Sequence, residues 1–213
     1  MRRLIISLLA LGCFAALDAQ IFSYQVTVDT SSIGTSTPGY LEFQFNQANA
    51  STSQAATAYL DDFLASPDFT FDNTTDFSLG GVAGSLFSLP LEFDNTVGGT
   101  NLYDQGVSVF GTSFQFTVTL EGAALSTPAT DGSEFFVYVY DSSYNNLLGP
   151  ADSGAADLII NGDTSITPVT VTSISTITPV TVAPEPSALS MLGIGGAAIV
   201  AICRRRRNLR TSV

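Results

Sequence analysis

Apolar and polar residues alternate along much of the chain between residues 20 and 163. Every second residue is apolar in the segments 22–29, 41–46 and 114–120. A period of two places one face of a β-strand in a core and the other face in water. Residues 135–140 are apolar on both faces, a pattern that is typical of an inner strand.

Turn-forming residues separate these runs and complete the picture of a β-protein. Gly, Asn, Asp and Ser cluster at residues 31–39, 95–101, 127–133 and 142–154. Residues 82–93 form a further strand-rich stretch that Pro90 interrupts, and residues 53–64, rich in alanine, are the one segment where a helix is an alternative. Many short, turn-separated, Phe-rich strands predict an all-β, antiparallel β-sandwich or jelly roll over residues 20–163.

Residues 164–183 differ from the body before them. They carry no charge, and Ile-Thr-Pro-Val-Thr-Val occurs twice, at 166–171 and 177–182. Uncharged Thr/Pro-rich repeats are typical of an extended stalk. The alternative is one or two edge strands, because Thr, Val and Ile favour strands and proline is tolerated at a sheet edge. A stalk is favoured for the second copy, and both interpretations stay open for the first.

The two ends of the chain carry targeting signals. Residues 1–19 combine two arginines, an apolar stretch and a small residue before Gln20, which indicates a secretory signal peptide removed by signal peptidase. Near the other end, the uncharged apolar run 188–203 spans roughly 24 Å as a helix, less than the roughly 30 Å of a bilayer core. Four arginines follow it and are expected to stay cytoplasmic as a membrane stop, at Arg204, Arg205, Arg206 and Arg207.

The C-terminal segment 184–213 resembles a known sorting signal. The motif Pro184-Glu185-Pro186, the short apolar run and the arginine cluster occur in the order of the PEP-CTERM signal of bacteria. That resemblance implies recognition by an exosortase, a transient anchor in the inner membrane, and a final location at the cell surface or outside the cell. The alternative is a permanent single-span anchor. The body resembles a group of PEP-CTERM proteins of unassigned activity, through segments 24–30, 39–46, 54–58, 110–114 and 137–141.

Charge divides the chain into the same parts. All seven basic side chains lie in the two terminal segments, and residues 20–183 contain no Lys, Arg, His, Cys or Trp. That stretch holds seventeen of the nineteen carboxylates, so its side chains carry a charge of −17. Salt bridges and disulfides between its side chains are therefore excluded. Nucleic acid is excluded as a partner, because its binding depends on cationic side chains that neutralise phosphates.

Composition also limits the chemistry that the body can perform. Without His, Cys or Lys it can form no Ser-His-Asp triad, thiol nucleophile or Schiff base, and only carboxylate catalysis remains. Asp29 and Asp152, each in a turn, are weak candidates for an aspartic-protease pair. A glycosidase would need two carboxylates and stacking aromatics, for which the candidates are Tyr40, Tyr59, Tyr103, Tyr138 and Tyr144. We expect no enzyme activity and no obligatory cofactor.

One loop has the oxygen spacing of a calcium site. Asp141, Ser143, Asn145 and Asp152 fall at positions one, three, five and twelve of a loop, as in calcium-binding loops. The turn glycine is missing, and the competing interpretation is a polar hairpin loop after a core strand.

These observations predict an exported surface or extracellular-matrix protein with a non-catalytic, structural or adhesive body. Extracellular polysaccharide is a candidate partner, besides the signal peptidase and exosortase that are expected to act during export. A carbohydrate-binding jelly roll, with or without calcium, is the second hypothesis, and a carboxylate-based hydrolase is the third.

Overall fold

Twelve β-strands dominate the chain in the computed structural model, which describes residues 20–34, 37–149, 154–171 and 173–181. One short 3₁₀ turn, Ala123–Leu125, lies between the eighth and ninth strands. The strands are β1 (Phe22–Asp29), β2 (Gly39–Gln47), β3 (Thr57–Ala65), β4 (Thr70–Leu79), β5 (Val82–Ser85), β6 (Ser88–Asp94), β7 (Leu102–Val109), β8 (Ser113–Glu121), β9 (Ser133–Asp141), β10 (Ala156–Ile160), β11 (Ile166–Thr170) and β12 (Ser175–Val180).

The strands form two six-stranded antiparallel sheets. Sheet 1 has the order β12-β1-β8-β3-β6-β5, and sheet 2 has the order β11-β10-β9-β2-β7-β4. The alternating segments at 22–29, 41–46 and 114–120 lie in β1, β2 and β8, and the doubly apolar segment 135–140 lies in β9, an inner strand between β2 and β10. The predicted all-β class is confirmed, and the two sheets are those of a β-sandwich.

Phenylalanine rings from both sheets meet in one core. Phe116 of sheet 1 lies edge-on to Phe43 of sheet 2, with ring centroids 5.3 Å apart. Phe93 meets Phe135 in the same way across the sheets, at 5.9 Å. All four side chains are buried, and each such burial stabilises the fold by roughly 1.5–3 kcal/mol. The sandwich therefore needs neither disulfides nor ion pairs to hold its sheets together.

The helix considered for residues 53–64 is wrong. Residues Thr57–Ala65 form β3, which pairs with β8 on one side and β6 on the other. Ala58 and Leu60 are fully buried, whereas Tyr59 between them lies on the outer face. Pairing on both sides outweighs the weak helix propensity of the alanines, because intrinsic propensity is smaller than tertiary packing.

The stalk favoured for the second repeat is wrong. Both copies of the repeat form edge strands, which was the alternative interpretation. β11 is an edge strand of sheet 2 and pairs with β10. β12 is an edge strand of sheet 1 and pairs with β1. Ile166 and Ile177 pack against the core, while Pro168 and Pro179 sit in the edge strands, where a missing N–H is tolerated. The sandwich therefore continues to Val180, beyond the boundary at residue 163 that composition indicates.

The terminal signals lie outside the described residues. These are the leader 1–19, the motif Pro184-Glu185-Pro186 and the segment 188–207 with its four arginines. Within the described part of the chain, no helix is long and apolar enough to cross a membrane.

Candidate functional site

The outer face of sheet 2 concentrates the chemically distinctive side chains of the body. Because Leu41, Phe43 and Phe45 of β2 point into the core, the intervening Tyr40 and Glu42 lie on the opposite face. The pairing of β2 with β7 and β9 determines which side chains lie beside Tyr40 and Glu42. Tyr40 is opposite Tyr140, and Glu42 lies between Tyr138 on β9 and Asp104 on β7.

Five aromatic rings form a continuous row on this face. We call Phe136, Tyr138, Tyr140, Tyr144 and Tyr40 the tyrosine row. Tyr138 stacks on Phe136 and on Tyr140, with centroids 5.9 and 5.4 Å apart. Tyr144 stacks on Tyr40 at 4.8 Å and leans on Tyr140 at 5.7 Å. Tyr144 keeps half of its surface exposed.

Local backbone geometry brings the row together. β2 approaches β9 so closely at its start that a Cβ on Gly39 would overlap the Tyr140 carbonyl oxygen. Tyr144 has a φ of 61°, and its N–H donates to the Asp141 carbonyl oxygen at 3.0 Å. Non-glycine residues held in the left-handed region cost about 1–3 kcal/mol. This tight turn after β9 folds Tyr144 back over the sheet.

Two carboxylates lie beneath this ring. We call Glu42 and Asp104 the acid pair. Each has only 6% of its surface exposed. The Tyr144 hydroxyl donates to Asp104 Oδ2 at 3.2 Å, and the Gln44 side-chain amide donates to Glu42 Oε1. Asp104 Oδ1 is buried without a hydrogen-bond partner.

The surroundings of Asp104 favour its protonated form. Burial, and then the neighbouring Glu42 carboxylate, raise the pKa of Asp104 from 3.8 to about 7. The pKa of Tyr144 rises to about 12, because of burial and the nearby Asp104 carboxylate. Since residues 20–183 contain no basic side chain, no ammonium, guanidinium or imidazolium group of the body can balance this charge.

A second pair of acids lies near the other end of the tyrosine row. Asp157 on β10 is opposite Phe136, and Glu134 precedes Phe136 by two positions on the same face of β9. Asp157 is 5% exposed, its Oδ1 has no partner, and burial raises its pKa to about 6. Burial and Asp157 also raise the pKa of Glu134. The aromatic row therefore has carboxylates towards both ends.

The loop predicted to bind calcium has a local explanation for its oxygen spacing. Asp141 Oδ1 accepts hydrogen bonds from the backbone N–H groups of Ser143 and Asn145, at 2.8 and 2.9 Å. Its Oδ2 accepts the Asn145 side-chain amide at 2.8 Å. These donors lower the pKa of Asp141. Asp152 lies outside the described residues, so the four predicted ligands are not brought together in the part that is described.

The remaining candidates from the sequence are scattered. Asp29 closes its own turn by accepting the Ser31 N–H at 2.8 Å, and Asp152, its proposed partner, is not described. Of the candidate stacking residues, Tyr40, Tyr138 and Tyr144 share the row. Tyr59 lies on sheet 1, and Tyr103 is buried in the core, where its hydroxyl donates to Gln105. Across the described residues, no three His, Cys, Asp or Glu side chains are grouped as a metal site.

Known proteins offer no template for this face. No protein-family model, curated protein or solved structure matches the chain significantly. Its function is therefore inferred from the sequence signals and from the groups on sheet 2.

Proposed function

We propose that this is an exported bacterial surface or extracellular-matrix protein, sorted by an exosortase through Pro184-Glu185-Pro186. The proposal rests on the way that basic residues are confined to the two ends of the chain. All seven basic side chains flank the body, in a leader and in a tail with motif, apolar run and arginine cluster, while the body has none. Signal peptidase acts at the first segment, and the exosortase acts at the second while the apolar run holds the precursor in the inner membrane.

The body in this proposal has a structural or adhesive role without catalysis. It folds through its phenylalanine core and backbone pairing, so it needs no disulfide after export. The absence of His, Cys and Lys from residues 20–183 removes the common nucleophiles and bases. The acid pair does not supply a hydrolase site in this proposal, because two carboxylates that are 6% exposed leave a glycosidic or peptide bond no access between them.

The sorting proposal is tested at the mature C-terminus. Mass spectrometry of the protein from culture fluid and cell envelope should find a terminus near residue 184, with the apolar run removed. Replacing Glu185 with Ala should return the terminus to Val213 and keep the protein in the membrane fraction. A matched Glu121→Ala variant, altered in the body, should be processed normally. Recovery of chains ending at Val213 as the sole surface form, in a host with an exosortase, contradicts the proposal.

A carbohydrate-binding body is the second candidate, and the tyrosine row favours it. Aromatic rings pack against the apolar faces of sugar rings, while side-chain amides donate hydrogen bonds to sugar hydroxyls and accept hydrogen bonds from them. Tyr144 offers an exposed ring above the acid pair, and Gln44 and Asn46 add amides on the same face. Because the body carries a charge of −17, a neutral polysaccharide fits this face better than an acidic one.

Affinity electrophoresis of the full chain in gels containing the host's neutral polysaccharide tests this binding. Tyr144→Ala should restore the mobility seen without polysaccharide, because it removes the exposed ring. Tyr59→Ala is the matched control, since Tyr59 lies on the outer face of sheet 1. Equal retardation of the two variants would exclude the tyrosine row as the binding surface.

A further inference from the structure

The acid pair contains a buried oxygen, Asp104 Oδ1, that accepts no hydrogen bond from any donor among the described residues. Asp104 has only 6% of its surface exposed. Its Oδ2 accepts a hydrogen bond from the Tyr144 hydroxyl, whereas its Oδ1 has no hydrogen-bond partner. Asp104 and Glu42 are directly opposite each other on the neighbouring strands β7 and β2. An unpartnered oxygen beside a second buried carboxylate points to a cationic ligand.

The identity of that cation follows from what the body lacks. Buried carboxylates in proteins are usually balanced by Arg, Lys or His, or coordinate a metal. Residues 20–183 contain none of those side chains, and no Cys. A proton or a metal ion must therefore balance the acid pair. Oxygen donors alone select hard cations, and calcium accepts irregular oxygen sets more readily than magnesium does.

We propose that the acid pair is a calcium site, in which Asp104 Oδ1 and the Glu42 carboxylate bind the ion. Gln44 orients the Glu42 carboxylate through Oε1, and the Tyr144 hydroxyl orients the Asp104 carboxylate through Oδ2. Water completes the coordination. With two charged ligands the site belongs to the weak class of extracellular calcium modules, with Kd values of about 10⁻⁴–10⁻³ M. The site does not depend on the proposed sorting route.

This location differs from the loop that the sequence favours for calcium. Both oxygens of Asp141 already accept donors from Ser143 and Asn145, so the loop is satisfied without an ion. Asp104 Oδ1 has no such donor. Asp141→Asn and Asp104→Asn therefore form a matched pair of variants. Each removes one carboxylate, and only the second removes a proposed ligand.

Terbium luminescence provides a direct test, because terbium replaces calcium at oxygen sites and is excited through nearby aromatic rings. The chain contains no tryptophan, so tyrosines are the sensitisers, and Tyr144 adjoins the acid pair. The full chain in maltoside at pH 7.5 should give terbium emission on excitation of tyrosine, and added calcium should displace it. Calorimetry with calcium alone gives the affinity.

The variants decide the assignment. Asp104→Asn and Glu42→Gln should weaken calcium binding by at least about tenfold, whereas Asp141→Asn should bind as the wild type does. Circular dichroism should show the same β-spectrum for all four proteins, so that loss of binding is not loss of folding. The proposal is overturned if the wild type shows no calcium-displaceable terbium emission. It is also overturned if Asp104→Asn binds normally, or if Asp141→Asn abolishes binding.

Discussion

Asp104→Asn also tests the energetic cost of the acid pair in the absence of metal. Burial and Glu42 raise the pKa of Asp104 from 3.8 to about 7 in the folded protein. The folded state therefore holds this proton more tightly than the unfolded chain does. As a result, the free energy of unfolding is highest at low pH for this group and falls as the pH rises from about 4 to about 7.

The size of the effect follows from that pKa. Each pKa unit corresponds to about 1.4 kcal/mol, so ionising Asp104 costs the folded state roughly 4 kcal/mol above pH 8. Solvent beside the half-exposed Tyr144 screens this charge and lowers the cost, so we expect roughly 2–4 kcal/mol. Asparagine keeps the shape of the side chain, removes the charge and donates an N–H towards Glu42. The substitution should therefore stabilise the protein at pH 8 and change little at pH 5.

Urea unfolding of the full chain, followed by far-UV circular dichroism with EDTA present, measures both conditions. The wild type should be less stable at pH 8 than at pH 5, and Asp104→Asn should reduce that difference. Asp141→Asn is the control, because this exposed carboxylate is stabilised by local donors and its loss should give no gain at pH 8. A wild type equally stable at both pH values, or a variant destabilised at pH 8, would refute the reasoning.

Three further substitutions probe other parts of the fold. Asp157→Asn should stabilise the protein by roughly 1–3 kcal/mol at pH 7.5. Burial raises the pKa of Asp157 to about 6, so the folded protein loses stability as this carboxyl ionises between about pH 4 and pH 6. Urea midpoints of wild type and variant at pH 4 and pH 7.5 measure the effect. Phe116→Ala should cost about 3–5 kcal/mol in urea unfolding by opening a cavity between the sheets, whereas Thr117→Ala on the outer face should cost less than about 0.5. Asn95→Ala should cost about 1–3 kcal/mol by the same assay, since it leaves the Ser133 hydroxyl and a backbone N–H before β3 without their partner.

Strand periodicity predicted the fold class because it is a local signal. In β1, β2 and β8 every second residue is apolar, and these residues face the core. The signal was weak where alanine replaces larger apolar residues, so β3 could not be distinguished from a helix. It was also weak in β11 and β12, where Thr and Pro are compatible with a stalk. Only pairing with β10 and β1 distinguishes strands from a stalk there.

The acid pair could not be predicted, because it depends on pairing between distant segments. In the sequence, Glu42 is an ordinary polar residue on the outward face of a strand, and Asp104 lies in a strand that alternation did not identify. Their proximity requires β2 to pair with β7 in one register. The calcium site predicted at Asp141 shows the reverse case, because that prediction rested on a local pattern alone. Its oxygen spacing is a local pattern that a hydrogen-bonded turn produces as readily as a metal site does.

The position of β12 has a consequence for the order of folding. β1 lies at the start of the body, yet one of its two partners, β12, lies at the other end of the described chain. The free edge of β1 is paired only when β12 forms, for example where Val28 lies opposite Ser175. Contacts between residues so far apart in the sequence form slowly. An unfinished chain therefore presents β1 as an open template for other strands. Sheet 1 is therefore completed only after the second repeat has been synthesised and has paired with β1.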